Sequence, residues 1–277
     1  MLLHRKLAIM QGRLVPPEEG RFQAFPRAQW EQEFPHAAAA GLGAIEWIYD
    51  TYGLGANPLE SSPGVARIAS LSRQHQVAVR SVCADYFMDL AFVRASDSER
   101  AARLAHLEWL LGQAKALGIV RIVLPFVDQS AIREAADREA VVDTLRRALP
   151  SAQAAGIELH LETSLAPDEF ASLLACLPHP FLKVNYDSGN SSSLGYRPAE
   201  EFAAYGARVG SVHIKDRVRN GGTVPLGQGD ADLDTVFDCL RQLNYAGDIV
   251  LQAARGTPGD EIAWARSNCA FVERYFD

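Results

Sequence analysis

The chain has 277 residues, of which 48% are hydrophobic and 22% charged, with a formal net charge of −7; that is ordinary globular composition and length enough for one large α/β domain. The acidic balance disfavours a nucleic-acid backbone as the main partner, and no apolar run approaches the roughly 18 residues of a membrane span. Four scattered cysteines without a C-x-x-C read as buried thiols of a reducing compartment, so the expected location is the cytoplasm.

Lys6 to Met10 is a short apolar run closed by Gln11-Gly12-Arg13, a first strand. A loop with Pro16, Pro17 and Gly20 leads to a helix expected from Ala28 to Ala40, closed by Gly41. Ala44 to Trp47 is a second strand. Ser62-Pro63 opens a helix in the N-cap then N1 pattern, running to about His75. Val77 to Cys83 is the third strand, with Ala84 to Asp89 as its loop. Ser96-x-x-Glu99 is a capping box whose helix ends at Leu117-Gly118. Ile119 to Leu124 is the fourth strand, stopped by Pro125. Glu134 to Ala155 is helical, with a kink or break expected at Pro150. Ile157 to Leu161 is the fifth strand and Pro167 to Leu177 its helix. Phe181 to Tyr186 is the sixth strand, and Ser188-Gly189-Asn190 is expected to break regular structure after it. Pro198 to Tyr205 is a helix and Gly210 to Ile214 the seventh strand. A glycine-rich loop, Asn220 to Gly229, precedes a helix from Asp232 to about Leu243. Asp248 to Leu251 is the eighth strand, and a last helix runs from about Asp260 to Phe276.

Eight strands alternating with eight helices imply right-handed βαβ crossovers and a parallel sheet. Eight such units over residues 1–277 suit a single (β/α)8 TIM barrel. An open doubly wound sheet would be expected to carry a G-x-G-x-x-G or phosphate loop after an early strand, and the sequence has neither.

In such a barrel the C-terminal strand ends form one rim, where reactive residues sit. The ends read in order as Glu46, Asp85, Glu162, Asp187, His213 and Gln252. Glu162, Asp187 and His213 stand about one βα unit apart on successive strands, so they can lie side by side. Two carboxylates and an imidazole with open positions suit one divalent metal ion, Mn²⁺, Mg²⁺, Co²⁺ or Zn²⁺, able to polarise a carbonyl and hold an enediolate. Taken singly, each is also an ordinary rim residue or cap, and Asp187 can form an Asx turn with Gly189.

Leu161-Glu162-Thr163, Asn185-Tyr186-Asp187-Ser188-Gly189-Asn190, Val212-His213-Ile214-Lys215-Asp216 and Leu226-Gly-Gln-Gly229-Asp230 resemble the xylose-isomerase-like barrel enzymes, often called sugar phosphate isomerases/epimerases. Met10-Gln-Gly-Arg-Leu14 and Ser81 to Asp89 look like one subgroup of them. The resemblance spans nearly the whole chain. It implies a small-molecule carbohydrate substrate, assembly as a possible homo-oligomer, and a metal held by Glu, Asp, His and a second Glu. Glu162, Asp187 and His213 match the first three, while Gln252 stands at the fourth. A glutamine can ligate but brings no charge and takes no proton. In the epimerases of this family the two glutamates work on opposite faces of the substrate. With Gln252 the chain leans toward a one-base isomerisation, with Glu162 as the base, unless Asp85, Glu46 or His160 replaces the missing acid. A dehydratase of a keto-cyclitol and a non-catalytic sugar-binding relative are the alternatives. An endonuclease, also found in this family, would want more histidines and a basic groove.

His160 shares parity with Glu162 and points into the barrel, as a core histidine or a partner to the ligands. Lys215 shares parity with His213 and is placed to fix a substrate hydroxyl or oxyanion. Arg217 and Arg219, with the loop glycines and Arg255, are the candidates for an anionic substrate group. Glu46, Trp47, Asp85 and Tyr86 are the candidates to wall the pocket on the far rim.

Overall fold

The structure, a computed structural model, describes residues 7–276, so Lys6 at the start of the expected first strand lies outside the described residues. Eight parallel strands close a barrel: β1 (Leu7–Met10), β2 (Ala44–Ile48), β3 (Ala78–Cys83), β4 (Arg121–Phe126), β5 (Glu158–Thr163), β6 (Leu182–Asp187), β7 (Val209–Ile214) and β10 (Ile249–Leu251). Each pairs with its sequence neighbour, and β10 closes the ring between β7 and β1. A two-residue hairpin, β8 (Asp216–Arg217) with β9 (Thr223–Val224), stands on the rim above β7.

The helices are α1 (Glu33–Ala40), α2 (Ser62–His75), α3 (Tyr86–Asp89), α4 (Asp97–Leu117), α5 (Ala135–Ala155), α6 (Pro167–Ala175), α7 (Ser188–Leu194), α8 (Pro198–Tyr205), α9 (Leu233–Gln242) and α10 (Glu261–Glu273). Leu104, Leu107, Leu110 and Leu111 of α4, and Val141, Leu145, Ala148 and Leu149 of α5, are buried at helical spacing. The capping box at Ser96 and Glu99 forms as expected, and Gly118 ends α4 at φ 80°.

Four elements depart from the sequence reading, each for a physical reason. The first helix starts at Glu33, not Ala28, because Pro35 lies in its first turn and its ring excludes a carbonyl one turn earlier. β4 runs through Pro125 to Phe126; β3 pairs with β4 only as far as Val123, so the proline nitrogen has no ladder partner to lose on that side. α5 continues through Pro150 to Ala155, with the buried residues Val141, Leu145, Ala148, Leu149 and Ala152 packing it on both sides of the proline. Ser188-Gly189-Asn190 does not break the chain after β6 but opens α7, with Asp187 as its N-cap.

The barrel interior is polar along its axis. His160, Ser211, Asn185, His213 and Glu46 are all buried there: His160, Ser211 and Asn185 are hydrogen-bonded in series, and His213 is bonded to Glu46.

Candidate metal centre

Asp187 and His213 are register partners on β6 and β7, and Glu162 lies next to last on β5. One ligand atom from each lies within 4.8 Å of the others, and all three residues are buried. Each is held in a different way. Asp187 caps α7: its Oδ1 accepts from the Asn190 N–H at 2.8 Å, while its buried Oδ2 has no hydrogen-bond partner. His213 donates Nε2–H to Glu46 Oε1 at 2.6 Å, which fixes the ring and leaves the Nδ1 lone pair toward the carboxylates. Nδ1 is 3.3 Å from Glu162 Oε2 and 3.9 Å from Asp187 Oδ2, yet hydrogen-bonded to neither. Glu162 accepts from Asn190 Nδ2 at 2.6 Å and from Asn185 Nδ2 at 2.8 Å.

Two buried atoms without hydrogen bonds, a carboxylate oxygen and an imidazole nitrogen, converging beside a second carboxylate fit a divalent cation, because a buried polar atom left unbonded is otherwise costly. The charges of the cluster also act on one another. Burial works against charge on Glu46, but the adjoining His213 holds its pKa down at about 2. Burial would likewise lower His213, yet Glu46 and Glu162 raise it to about 10. Burial opposes charge on Glu162 too, but His213 and Lys215 outweigh it and keep the carboxyl below its usual range. Asp187 is pushed up by burial, only partly offset by Lys215.

A cavity of about 290 Å³ opens directly above, lined by Glu162, Asn190, Lys215, Arg217 and Gln252 on one side. Asp85, Cys83, Gln23, Asp50 and Tyr52 line it on the other. Lys215 Nζ lies 3.7 Å from Asp187 Oδ2 and donates to Gln252 Oε1 at 3.4 Å. Gln252 in turn donates Nε2–H to Gln23 Oε1 at 2.9 Å. The structure thus brings Glu162, Asp187, His213, Lys215 and Gln252 together, with Asp85 and Arg217 on the same cavity.

Other expected members are elsewhere. Glu46 is not a wall of the cavity; it is fully buried inside the barrel as the partner of His213. Trp47 follows Glu46 and so faces the opposite way, into a cluster with Phe25, Trp30 and Phe34. Tyr86 turns away from the cavity to stack on His106, ring centroids 4.2 Å apart. His160 lies deeper in the barrel, bonded to Ser211 Oγ at 2.7 Å and Glu158 Oε2 at 2.9 Å. It is linked to the site through Ser211, Asn185 and then Glu162. Arg255 anchors the loop after β1, donating to the carbonyls of Phe22 and Val15.

The glycine-rich loop also has a different role from an anion cradle. The N–H groups of Gly227, Gly229 and Ala231 donate to the buried Asp216 carboxylate at 2.8, 3.0 and 3.1 Å. A Cβ on Gly229 would lie 2.2 Å from Asp216 Oδ1, so this loop closes on the protein's own acid. Arg217 is held by the Gly221 carbonyl and by Asn190 Oδ1.

Sequence reasoning missed Asn190 and Gln23. Asn190 reads as a breaker because Ser188-Gly189-Asn190 has the composition of a loop, whereas in the structure it is the third residue of α7, held to the Asp187 cap. Gln23 sits in an irregular loop, and nothing in its neighbours marks it.

Residues 34–275 match the family described as xylose isomerase-like TIM barrel. L-ribulose-5-phosphate 3-epimerase UlaE of Shigella flexneri serotype 5b is 25% identical over 266 residues, covering 91% of this chain and 92% of the relative. A 2-epi-5-epi-valiolone 7-phosphate 2-epimerase of an Actinoplanes species is 27% identical over 210 residues, covering 74% of this chain and 75% of its own. Among solved structures, the IOLI protein with a binding zinc atom superposes with a TM-score of 0.78 at 16% identity, covering 98% of this chain and 99% of that one. That last likeness is one of fold. No helix among the described residues is long and apolar enough to cross a membrane.

Proposed function

The chain belongs to the xylose isomerase-like TIM barrel family, and from that premise we propose that it is a metal-dependent epimerase or isomerase of a keto sugar or sugar phosphate. The observation that carries this reading is the convergence of Asp187 Oδ2 and His213 Nδ1, both buried and unpartnered, beside Glu162. Two relatives whose names make them epimerases of phosphorylated hydroxy-ketones support it.

Glu162, Asp187 and His213 would hold one divalent ion, with the Gln252 side-chain oxygen as a neutral fourth ligand. Such an ion supplies fixed positive charge that lowers the energy of a developing enediolate. Glu162 is the base. Its carboxylate is kept ionised at neutral pH, and Asn190 and Asn185 hold its two oxygens in a set direction toward the cavity. It removes the proton from a carbon beside the substrate carbonyl. Lys215 lies above Asp187 and donates toward the cavity floor, where it orients the oxygen on which negative charge grows. The loop after β1, carrying Gln23, lines the cavity and is tied to Gln252 across it.

The test is solvent exchange. Protein loaded with Mn²⁺ in D₂O is expected to place deuterium beside the carbonyl of a ketose substrate. Glu162→Gln is expected to reduce that exchange by about 10²–10⁴-fold. Exchange that persists unchanged in Glu162→Gln would remove Glu162 from the base role.

A further inference from the structure

Inverting a carbon requires a proton carrier on each face of the substrate, and Gln252 cannot act as one. The groups round the candidate metal come from β5, β6, β7 and β10, which are neighbours and make up one half of the barrel. A second carrier therefore has to reach the cavity from the other half, β1 to β4. The acids that line the cavity from that half are Asp50, Asp85, Asp89 and Asp128.

Three of the four are otherwise engaged or poorly placed. Asp50 accepts from the Phe25 N–H at 2.9 Å and the Gly53 N–H at 2.8 Å, which ties it to the loop backbone. Asp89 is exposed and bonded to Thr51 and Gln129. Asp128 is exposed. Asp85 is half-buried just beyond β3. It accepts one bond on each oxygen: Gln23 Nε2 to Oδ2 at 2.7 Å, and Cys83 Sγ to Oδ1 at 3.2 Å. Each oxygen keeps a free lone pair for a proton or a substrate hydroxyl. Asp85 is also joined to the opposite side. Lys215 donates to Gln252, Gln252 to Gln23 at 2.9 Å, and Gln23 to Asp85, a chain of donors that crosses the cavity and ends on this carboxyl.

We propose that Asp85 is the second acid–base group of the site, doing from β3 what Gln252 cannot do from β10, so that the site inverts a carbon next to a carbonyl. This rests on the enediolate chemistry proposed above. Glu162 takes the proton; the C–H electron pair becomes the enediolate double bond and the carbonyl pair moves to oxygen. Asp85, as a neutral carboxylic acid, gives its proton to the same carbon from the other face. The double-bond pair forms the new C–H bond, and the carbonyl returns. Glu162 then loses a proton to water and Asp85 regains one from it, so no other reactant is needed. Burial raises the Asp85 carboxyl to about 6, against the pull of Gln23 and Cys83, so a share of it carries a proton near neutral pH.

The experiment follows exchange and inversion separately. Mn²⁺-loaded protein is incubated in D₂O with D-fructose, D-tagatose, L-ribulose and L-ribulose 5-phosphate, and NMR reads deuterium in the recovered ketose and the amount of inverted product. With the ketose that the unaltered protein turns over, Asp85→Asn is expected to keep deuterium entering the starting ketose while inversion falls by about 10²–10⁴-fold. Asp85→Glu, which retains a proton carrier, is expected to retain inversion, and Mn²⁺ affinity is expected to be unchanged in both. Inversion by Asp85→Asn at the original rate overturns the proposal, as does loss of exchange together with inversion at unchanged Mn²⁺ affinity. Absence of both exchange and inversion in the unaltered protein with all four ketoses overturns the enediolate reading itself, and this inference with it.

Discussion

Gln252 brings an oxygen but no charge to the candidate metal centre, and its oxygen already accepts from Lys215. Gln252→Glu is expected to tighten Mn²⁺ binding by about tenfold or more, since a full charge about 4 Å from a cation outweighs 1.4 kcal/mol even at an effective ε near 20. Calorimetric titration of both proteins checks it; equal affinities would mean that position 252 does not face the ion. Glu33 is a second residue under strain of burial. Its Oε1 accepts from the Gly12 and Leu14 N–H groups at 2.7 and 3.2 Å, and its buried Oε2 has no partner. Burial raises its pKa from 4.5 to about 7, against the pull of those two backbone donors. A carboxyl with a raised folded pKa stabilises the fold fully below the unfolded value, and loses that contribution as pH rises through the folded one. From about pH 4.5 to 7 the chain should therefore lose about 3 kcal/mol of stability through this group. Glu33→Gln removes the titration, so urea unfolding at pH 5 and pH 8 should differ less in the variant than in the unaltered protein. An equal difference in both would clear Glu33 of the effect. At this scale the convergence of Glu162, Asp187 and His213 was legible in the sequence, because each is a polar residue ending an apolar strand. Trp47, expected on the pocket wall, follows the same alternation instead: with Glu46 inward, it faces out toward Phe25, Trp30 and Phe34. Gln23 was not legible, since it acts across 229 positions on Gln252 through a loop of no regular pattern.

The element that most changes the reading is α7. Ser-Gly-Asn-Ser-Ser-Ser has the composition of a loop, yet here it is a helix started by Asp187 and ended by Gly195 at φ 80°. One carboxylate thereby serves two purposes, capping with Oδ1 and facing the site with Oδ2. Helix N-caps are read from sequence when the following residues are good helix formers, and these are not, so only tertiary contact reveals this one. Gly189 is part of that contact. A Cβ there would lie 2.6 Å from Lys215 Cγ and 2.9 Å from Lys215 Cβ, on the stem of the side chain rather than its free end. Gly189→Ala must therefore push α7 and the end of β7 apart. It is expected to cost about 1–3 kcal/mol in thermal or urea unfolding and to weaken Mn²⁺ binding at the same time. Full stability with full affinity would show that the helix has more room than the structure gives it.

For the molecule as a whole, the alternation of strands and helices was enough to predict a closed parallel barrel, because apolar strands at regular spacing leave few other ways to bury both faces of a sheet. The sequence did not show how the barrel divides its labour along the axis. At the base, Asp248 on the approach to β10 accepts from Arg80 and Arg121, tying β3, β4 and β10 together. In the middle, His160, Ser211 and Asn185 fill the interior with mutually satisfied polar groups. At the rim, Asp187 Oδ2 and His213 Nδ1 are buried without a hydrogen bond, with Lys215 Nζ 3.7 Å from the first and Glu162 Oε2 3.3 Å from the second. Buried polar atoms without a hydrogen bond also occur lower down, at Arg121 Nε and Glu46 Oε2, so what sets the rim apart is that its two converge beside Glu162. The direct measurement is a titration of metal-stripped protein with Mn²⁺ by calorimetry, alongside Asp187→Ala and His213→Ala. One ion per chain, bound by the unaltered protein and lost in both variants that keep their fold, is the result expected. No binding by the unaltered protein, or binding that both variants retain, would contradict it.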